Sequence, residues 1–175
     1  MLRHRFTEIV LGVGLVAAFL IWPTQVPADN VRKTAPNFTL SDSKGAAVRL
    51  SDYKGKVVLL DFWATWCHGC KTEIPWYMEF QNKYKDKGLA VIGVSMDDDG
   101  WKSVKPFLEE QKMNYAVVIG NEALAKLYSV DALPVTLLID RNGKIAVSHV
   151  AMVEKDAFEK EIRALLQDRP KKIAK

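Results

Sequence analysis

Apolar positions along the chain change spacing in a regular way. Val57–Ala64 is almost continuously apolar, the pattern of a strand buried on both faces of a parallel sheet. From Cys67 to Lys87 the spacing becomes helical. Ile74, Tyr77, Met78, Gln81 and Tyr84 share a face, and Gly88 suits the C-terminal cap. Pro75 removes one backbone hydrogen bond inside this helix and predicts a kink. Leu89–Met96 is a second β-rich run, so strand, helix and strand form a βαβ unit with parallel strands and a right-handed crossover. "DDDG" then offers N-cap residues for a helix ending near Lys112. Tyr115–Ile119 reads as a short strand and Glu122–Tyr128 as a short helix. Val135–Asp140 and Ile145–His149 flank "RNGK", and Asn-Gly between two β runs predicts an antiparallel hairpin. Glu154–Leu166 closes the pattern as an amphipathic helix with Phe158, Ile162, Leu165 and Leu166 inward. Upstream, Phe38–Leu40 and Val48–Leu50 are short strand candidates around the turn cluster "SDSKG". The expected class is α/β: a central mixed β-sheet flanked by helices, with an N-terminal strand extension and a central αβ insertion.

The first residues have a different character. Arg3, His4 and Arg5 precede Ile9–Trp22, an unbroken run of apolar residues and glycine, and "QVPA" ends at Ala28 with small residues in the cleavage positions. This is the make-up of a secretory signal. Residues 6–22 as an uncleaved membrane anchor fit as well, although a spanning helix normally takes ~20 apolar residues. Either way the remainder is expected to be exported, periplasmic or extracytoplasmic, where disulfides persist. The expected domains are 1–28, signal peptide or anchor; 29–36, linker; 37–167, the globular domain; and 168–175, a basic tail. The formal charge of +4 owes much to Arg169, Lys171, Lys172 and Lys175 in that tail, so it is read as a solvated tail and no nucleic-acid partner is expected. With 49% hydrophobic residues the chain has material for a core and needs no staple.

Only two cysteines occur, Cys67 and Cys70, in "DFWATWCHGCKTEIPW". Cys67 follows a strand and opens a helix, where unpaired N–H groups carry partial positive charge and stabilise a thiolate. Cys70 lies one turn on, within bonding reach. The spacing suits exchange in two steps: Cys67 attacks a partner disulfide, then Cys70 resolves the mixed disulfide. As a staple the pair closes too short a loop to constrain the unfolded chain. As a zinc site it lacks ligands, since only His4, His68 and His149 are at hand, and no metal is expected. His68 tunes Cys67 if it carries charge nearby, or it is an exposed loop side chain. Gly69 leaves the turn less constrained than a proline would. Asp61 is the one charge in an apolar strand. Buried, it exchanges a proton near neutral pH; at a strand edge it is merely solvated.

"DFWATWCHGCK" resembles the active-site segment of the thioredoxin superfamily, and together with "KTEIPW", the export signal and the αβ insertion it is most similar to the TlpA/ResA-like thiol-disulfide oxidoreductases of the bacterial cell envelope. The resemblance spans roughly residues 35–166. It implies a thioredoxin fold, an active Cys67/Cys70 dithiol and a buried proton-handling aspartate at Asp61. It also implies a glutamate beside the site at Glu73, against the alternative of an ordinary exposed helix residue. It further implies a cis-proline at Pro134 facing the cysteines, with Leu133 offering backbone hydrogen bonds to a bound partner segment. Trp63 is expected in the core and Trp66 on an apolar docking rim. The departure from the pattern is Gly69, where relatives usually carry proline.

The function expected is reduction of disulfides in envelope proteins, with cytochrome c maturation as one process that the resemblance suggests. No bound cofactor is needed; electrons come from another dithiol protein, with the inner membrane as one source. Three alternatives stand beside it. One is a disulfide-forming oxidase. Another is a peroxiredoxin-like peroxidase, disfavoured because Thr65 is two rather than three residues before Cys67. The third is a copper-binding assembly factor using Cys67, Cys70 and His149.

Overall fold

A computed structural model describes residues 32–168. The signal or anchor assigned to 1–28 and the basic residues from 169 onward lie outside the described residues. Seven strands and four α-helices follow in chain order. They are β1 (Thr39–Ser41), β2 (Ala47–Arg49), β3 (Val57–Trp63), α1 (His68–Tyr84), β4 (Leu89–Ser95), α2 (Trp101–Gln111), β5 (Ala116–Ile119), α3 (Glu122–Tyr128), β6 (Val135–Ile139), β7 (Ile145–Val150) and α4 (Lys155–Gln167). The main sheet runs β5-β4-β3-β6-β7, and β1 and β2 form a separate hairpin.

Strands β3 and β4 pair in parallel, as the βαβ pattern requires, and β4 pairs in parallel with β5. β6 runs antiparallel to both β3 and β7, so the sheet is mixed. β3 is central, and every one of its residues is buried. Alternation sends Val58, Leu60 and Phe62 to one face, with β1, β2 and α3 residues. Val57 and Leu59 go to the other face, beneath Tyr77 and Phe80 of α1 and Phe158 and Ile162 of α4. Asp61 has the parity of Val57 and Leu59 and therefore points at α1.

Several local details differ from the sequence reading. The buried face of α1 includes Cys70, Glu73, Ile74, Tyr77, Phe80 and Tyr84, whereas Met78 and Gln81 are half-buried. α1 runs through Pro75 as one element and ends at Tyr84; the last turn expected of it, Lys85–Lys87, is a 3-10 turn closed by Gly88 at φ 97°. The N-cap of α2 is Gly100, with no side-chain cap, rather than an aspartate of "DDDG". Asp97 is drawn away to another partner, described below. The segment taken as a linker already belongs to the fold at its end: Thr34 bridges Lys144, Ala35 N–H donates to Gly143 O at 2.9 Å, and Ala35 is buried. Among the described residues no helix is long and apolar enough to cross a membrane.

Candidate functional site

Central β3 delivers the chain to the end of the sheet, and α1 begins directly after it. Cys67 is the N-cap of α1, and its Sγ accepts the Cys70 N–H at 3.2 Å. Cys67 and Cys70 are joined by a disulfide with S–S 2.02 Å. Cys67 is 6% exposed and Cys70 1%, so the first sulfur is the one an incoming group can reach. Trp63, Ala64, Ile74, Val104 and Val117 pack around both, and the half-buried Leu133 lies against them. Once reduced, Cys67 sits where the helix start offers N–H groups and partial positive charge, and this arrangement favours its thiolate.

Two buried carboxyls flank the pair in sequence, Asp61 in β3 and Glu73 one turn after Cys70 on α1. Asp61 and Glu73 are both fully buried, and each has one oxygen, Oδ2 and Oε2, without a hydrogen-bond partner. The Val153 N–H donates to Glu73 Oε1 at 2.8 Å, and Thr136 Oγ1 lies 3.5 Å from Asp61 Oδ1. The Tyr77 hydroxyl stands 2.9 Å from Thr136 Oγ1. Burial raises the Asp61 carboxyl well above the usual carboxylate range, the charge of Glu73 raises it further, and Thr136 offsets part of this. Burial also raises Glu73, against the Val153 N–H, Tyr77 and His149, which lower it. Tyr77 is pushed up by burial and by both carboxyls. The strand-edge reading of Asp61 and the exposed-helix reading of Glu73 are therefore set aside; both side chains are in the interior.

Sequence reasoning did not single out Asp97. It is 5% exposed and organises the loop before Cys67. The Thr65 N–H donates to both of its carboxylate oxygens at 3.2 and 3.0 Å, Thr65 Oγ1 donates at 2.5 Å, and Ser95 Oγ donates at 2.8 Å. The same bonds engage Thr65, the residue on which the peroxidase comparison turned. A triple aspartate reads as a helix start by composition, and only tertiary contact separates Asp97 from its neighbours.

Leu133-Pro134 is a cis peptide, and Pro134 faces the turn: its Cδ lies 3.5 Å from where a Cβ on Gly69 would stand. His68 is exposed, and its backbone carbonyl accepts from Thr72 Oγ1 at 3.4 Å. Trp63 is fully buried, and Trp66 is exposed beside the cysteines. His149 bonds Glu161 Oε2 through Nε2 at 2.8 Å and meets Phe158 edge-on. Among the described residues no group of three or more His, Cys, Asp or Glu side chains could hold a metal ion.

The AhpC/TSA family profile matches residues 31–148. A ResA thiol-disulfide oxidoreductase of Geobacillus kaustophilus is 36% identical over 163 residues, covering 91% of this chain and 93% of that protein. The crystal structure of a Chlorobium tepidum protein assigned as thiol:disulfide interchange protein DsbE matches with a TM-score of 0.73 and 38% identity, covering 77% of this chain and 96% of that one. The thioredoxin domain of a Bacteroides vulgatus thiol-disulfide oxidoreductase matches with a TM-score of 0.69 and 31% identity, over 76% of this chain and 96% of that one. With the dithiol at the head of α1, these likenesses make the chain a thioredoxin-fold member of the AhpC/TSA family and a thiol-disulfide oxidoreductase of the ResA/DsbE type.

Proposed function

We propose that the chain is an exported reductant of disulfides in envelope proteins and serves cytochrome c maturation. The observation that carries the chemistry is the seating of Cys67 Sγ at the N-cap of α1, against the Cys70 N–H. The thiolate of Cys67 attacks one sulfur of a partner disulfide; that S–S bond breaks, and its other sulfur leaves as a thiolate and takes up a proton. Cys70 gives its proton to the Asp61–Glu73 pair, in which one carboxyl stays ionised while the other holds a proton, and attacks Cys67 Sγ, breaking its bond to the partner sulfur, which leaves as a thiolate. The partner then departs with both its sulfurs reduced, and the Cys67–Cys70 disulfide forms. Two electrons leave the dithiol in each round, and a second dithiol protein, in the inner membrane, restores them. Leu133 and Pro134 take the backbone of the partner segment, and Trp66 forms part of the apolar rim it meets.

Export rests on the basic start and apolar run of residues 3–22, and residues 6–22 hold the chain at the membrane if the segment is not cleaved. The potential of the Cys67/Cys70 couple, measured by equilibration with glutathione, tests the direction. A value near that of thioredoxin, about −270 mV, supports a reductant, and one near about −120 mV overturns it in favour of an oxidase. Cys70→Ser in the producing cell is expected to accumulate a mixed disulfide at Cys67 with an envelope protein. If a cytoplasmic protein is trapped instead, the proposed location is wrong.

A further inference from the structure

Gly69 is not required by backbone conformation, because it is not among the positive-φ glycines. What a side chain here would meet is Met152. A Cβ at this position would stand 2.9 Å from Met152 Cγ and 3.3 Å from Met152 Sδ, closer than side-chain carbons pack. The volume next to the CHGC turn is thus already taken by a residue far away in sequence.

Met152 is held there from both sides. Ala151 adopts a left-handed conformation, φ 74°, that a residue with a Cβ seldom takes. Its N–H donates to Pro134 O at 3.0 Å. On the other side the Val153 N–H donates to Glu73 Oε1 at 2.8 Å. Both neighbours of Met152 are therefore tied to residues of the site, and the thioether is laid across the turn between the cysteines. Met152 remains 58% exposed, so its outer side meets water while its inner side covers Gly69. Cys67 and Cys70 stay 6% and 1% exposed although the residue beside Cys70 has no side chain to shield it.

We propose that Met152 is a positioning residue of the dithiol, filling the place a side chain at position 69 would occupy and keeping water off the CHGC turn. The consequence is a matter of solvation. A thiolate gains more from water than a thiol does, so a cover on the turn disfavours the thiolate and with it the reduced form at neutral pH. A less stabilised reduced form makes a stronger reductant. The inference rests on exchange at Cys67 and deepens the reductant reading: the absolute potential tests that reading, whereas the difference between variants tests this one.

The experiment compares the wild type with Met152→Ala and Met152→Leu, equilibrating each with glutathione and following alkylation of reduced Cys67 against pH. Met152→Ala is expected to shift the equilibrium three- to tenfold toward the reduced form, which is about 15–30 mV at roughly 30 mV per decade, and to move the alkylation midpoint to lower pH. Met152→Leu, which keeps an apolar cover, is expected to stay within about twofold of the wild type. If Met152→Ala also stays within about twofold, or shifts toward the oxidised form, the proposal is overturned. A second measurement is independent of the potential. Gly69→Pro should lower the thermal midpoint less in the Met152→Ala background than in the wild type, because the space has been cleared; an equal loss in both backgrounds contradicts the coupling.

Discussion

Asp61→Asn is expected to make the protein more stable at pH 8 and to slow its chemistry. In the native state Asp61 has one oxygen with no partner and one at 3.5 Å from Thr136 Oγ1, with Glu73 nearby and no cation beside it. An ionised carboxylate here is uncompensated, so the folded state holds a proton that the unfolded chain releases in the ordinary carboxylate range. The sign follows from proton counting. Between the unfolded value and the raised folded value, N binds more protons than U, so stability falls as pH rises through that window. Asparagine keeps the shape and removes this pH dependence. An uncompensated buried polar group costs about 1–3 kcal/mol, and more when charged, so a gain of about 2 kcal/mol is expected at pH 8. For a domain of this size that is roughly 5–10 °C in Tm. The assay is thermal unfolding of the oxidised protein, in which neither cysteine titrates, at pH 3 and pH 8. The gain should shrink to under about 0.5 kcal/mol at pH 3, below the ordinary carboxylate value, where U also keeps most of its proton. No gain at pH 8, or an equal gain at both pH values, would refute the argument that Asp61 is an uncompensated buried acid. In the reduced protein the same variant should slow attack by Cys70 on a mixed disulfide at Cys67, measured as release of a thiol leaving group.

Two further substitutions probe the groups around it. Glu73→Gln removes the charge that pushes Asp61 up, so the pH profile of the Cys70 step should move toward acid; a profile that stays in place contradicts coupling of the two carboxyls. Asp97→Ala strips the acceptor from the Thr65 N–H, Thr65 Oγ1 and Ser95 Oγ. At about 1 kcal/mol for each charge-assisted bond or somewhat more, a loss of roughly 3 kcal/mol is expected in denaturant unfolding, together with slower exchange as the loop carrying Cys67 loosens. Unfolding at an unchanged midpoint would show that Asp97 does not anchor that loop.

The strands and helices could be read from the chain because their signals are local. A continuous apolar run marks β3, a shift to helical spacing marks α1, and Asn-Gly marks the turn between β6 and β7. Cys67 and Cys70 were legible for the same reason, since the strand, the turn and the helix start are contiguous. Asp61 was visible as a charge in an apolar run, but its burial depends on α1 closing over it. Glu73 was harder, because a helix glutamate is ordinarily solvated, and only the arrival of Val153 encloses it. Asp97 and Met152 were invisible, because each acts on a segment far away in sequence. Gly69 was read as flexibility; in the structure the space a side chain there would take is occupied by Met152.

The central claim is that the head of α1 activates Cys67 and leaves Cys70 as the second thiol. Its most direct measurement is the pH dependence of alkylation in the reduced protein, with the modified cysteine identified by peptide mapping. The account predicts that Cys67 reacts first, with an apparent pKa below the free-cysteine value of about 8.5. Modification of Cys70 first, or a Cys67 midpoint at or above about 8.5, would contradict it.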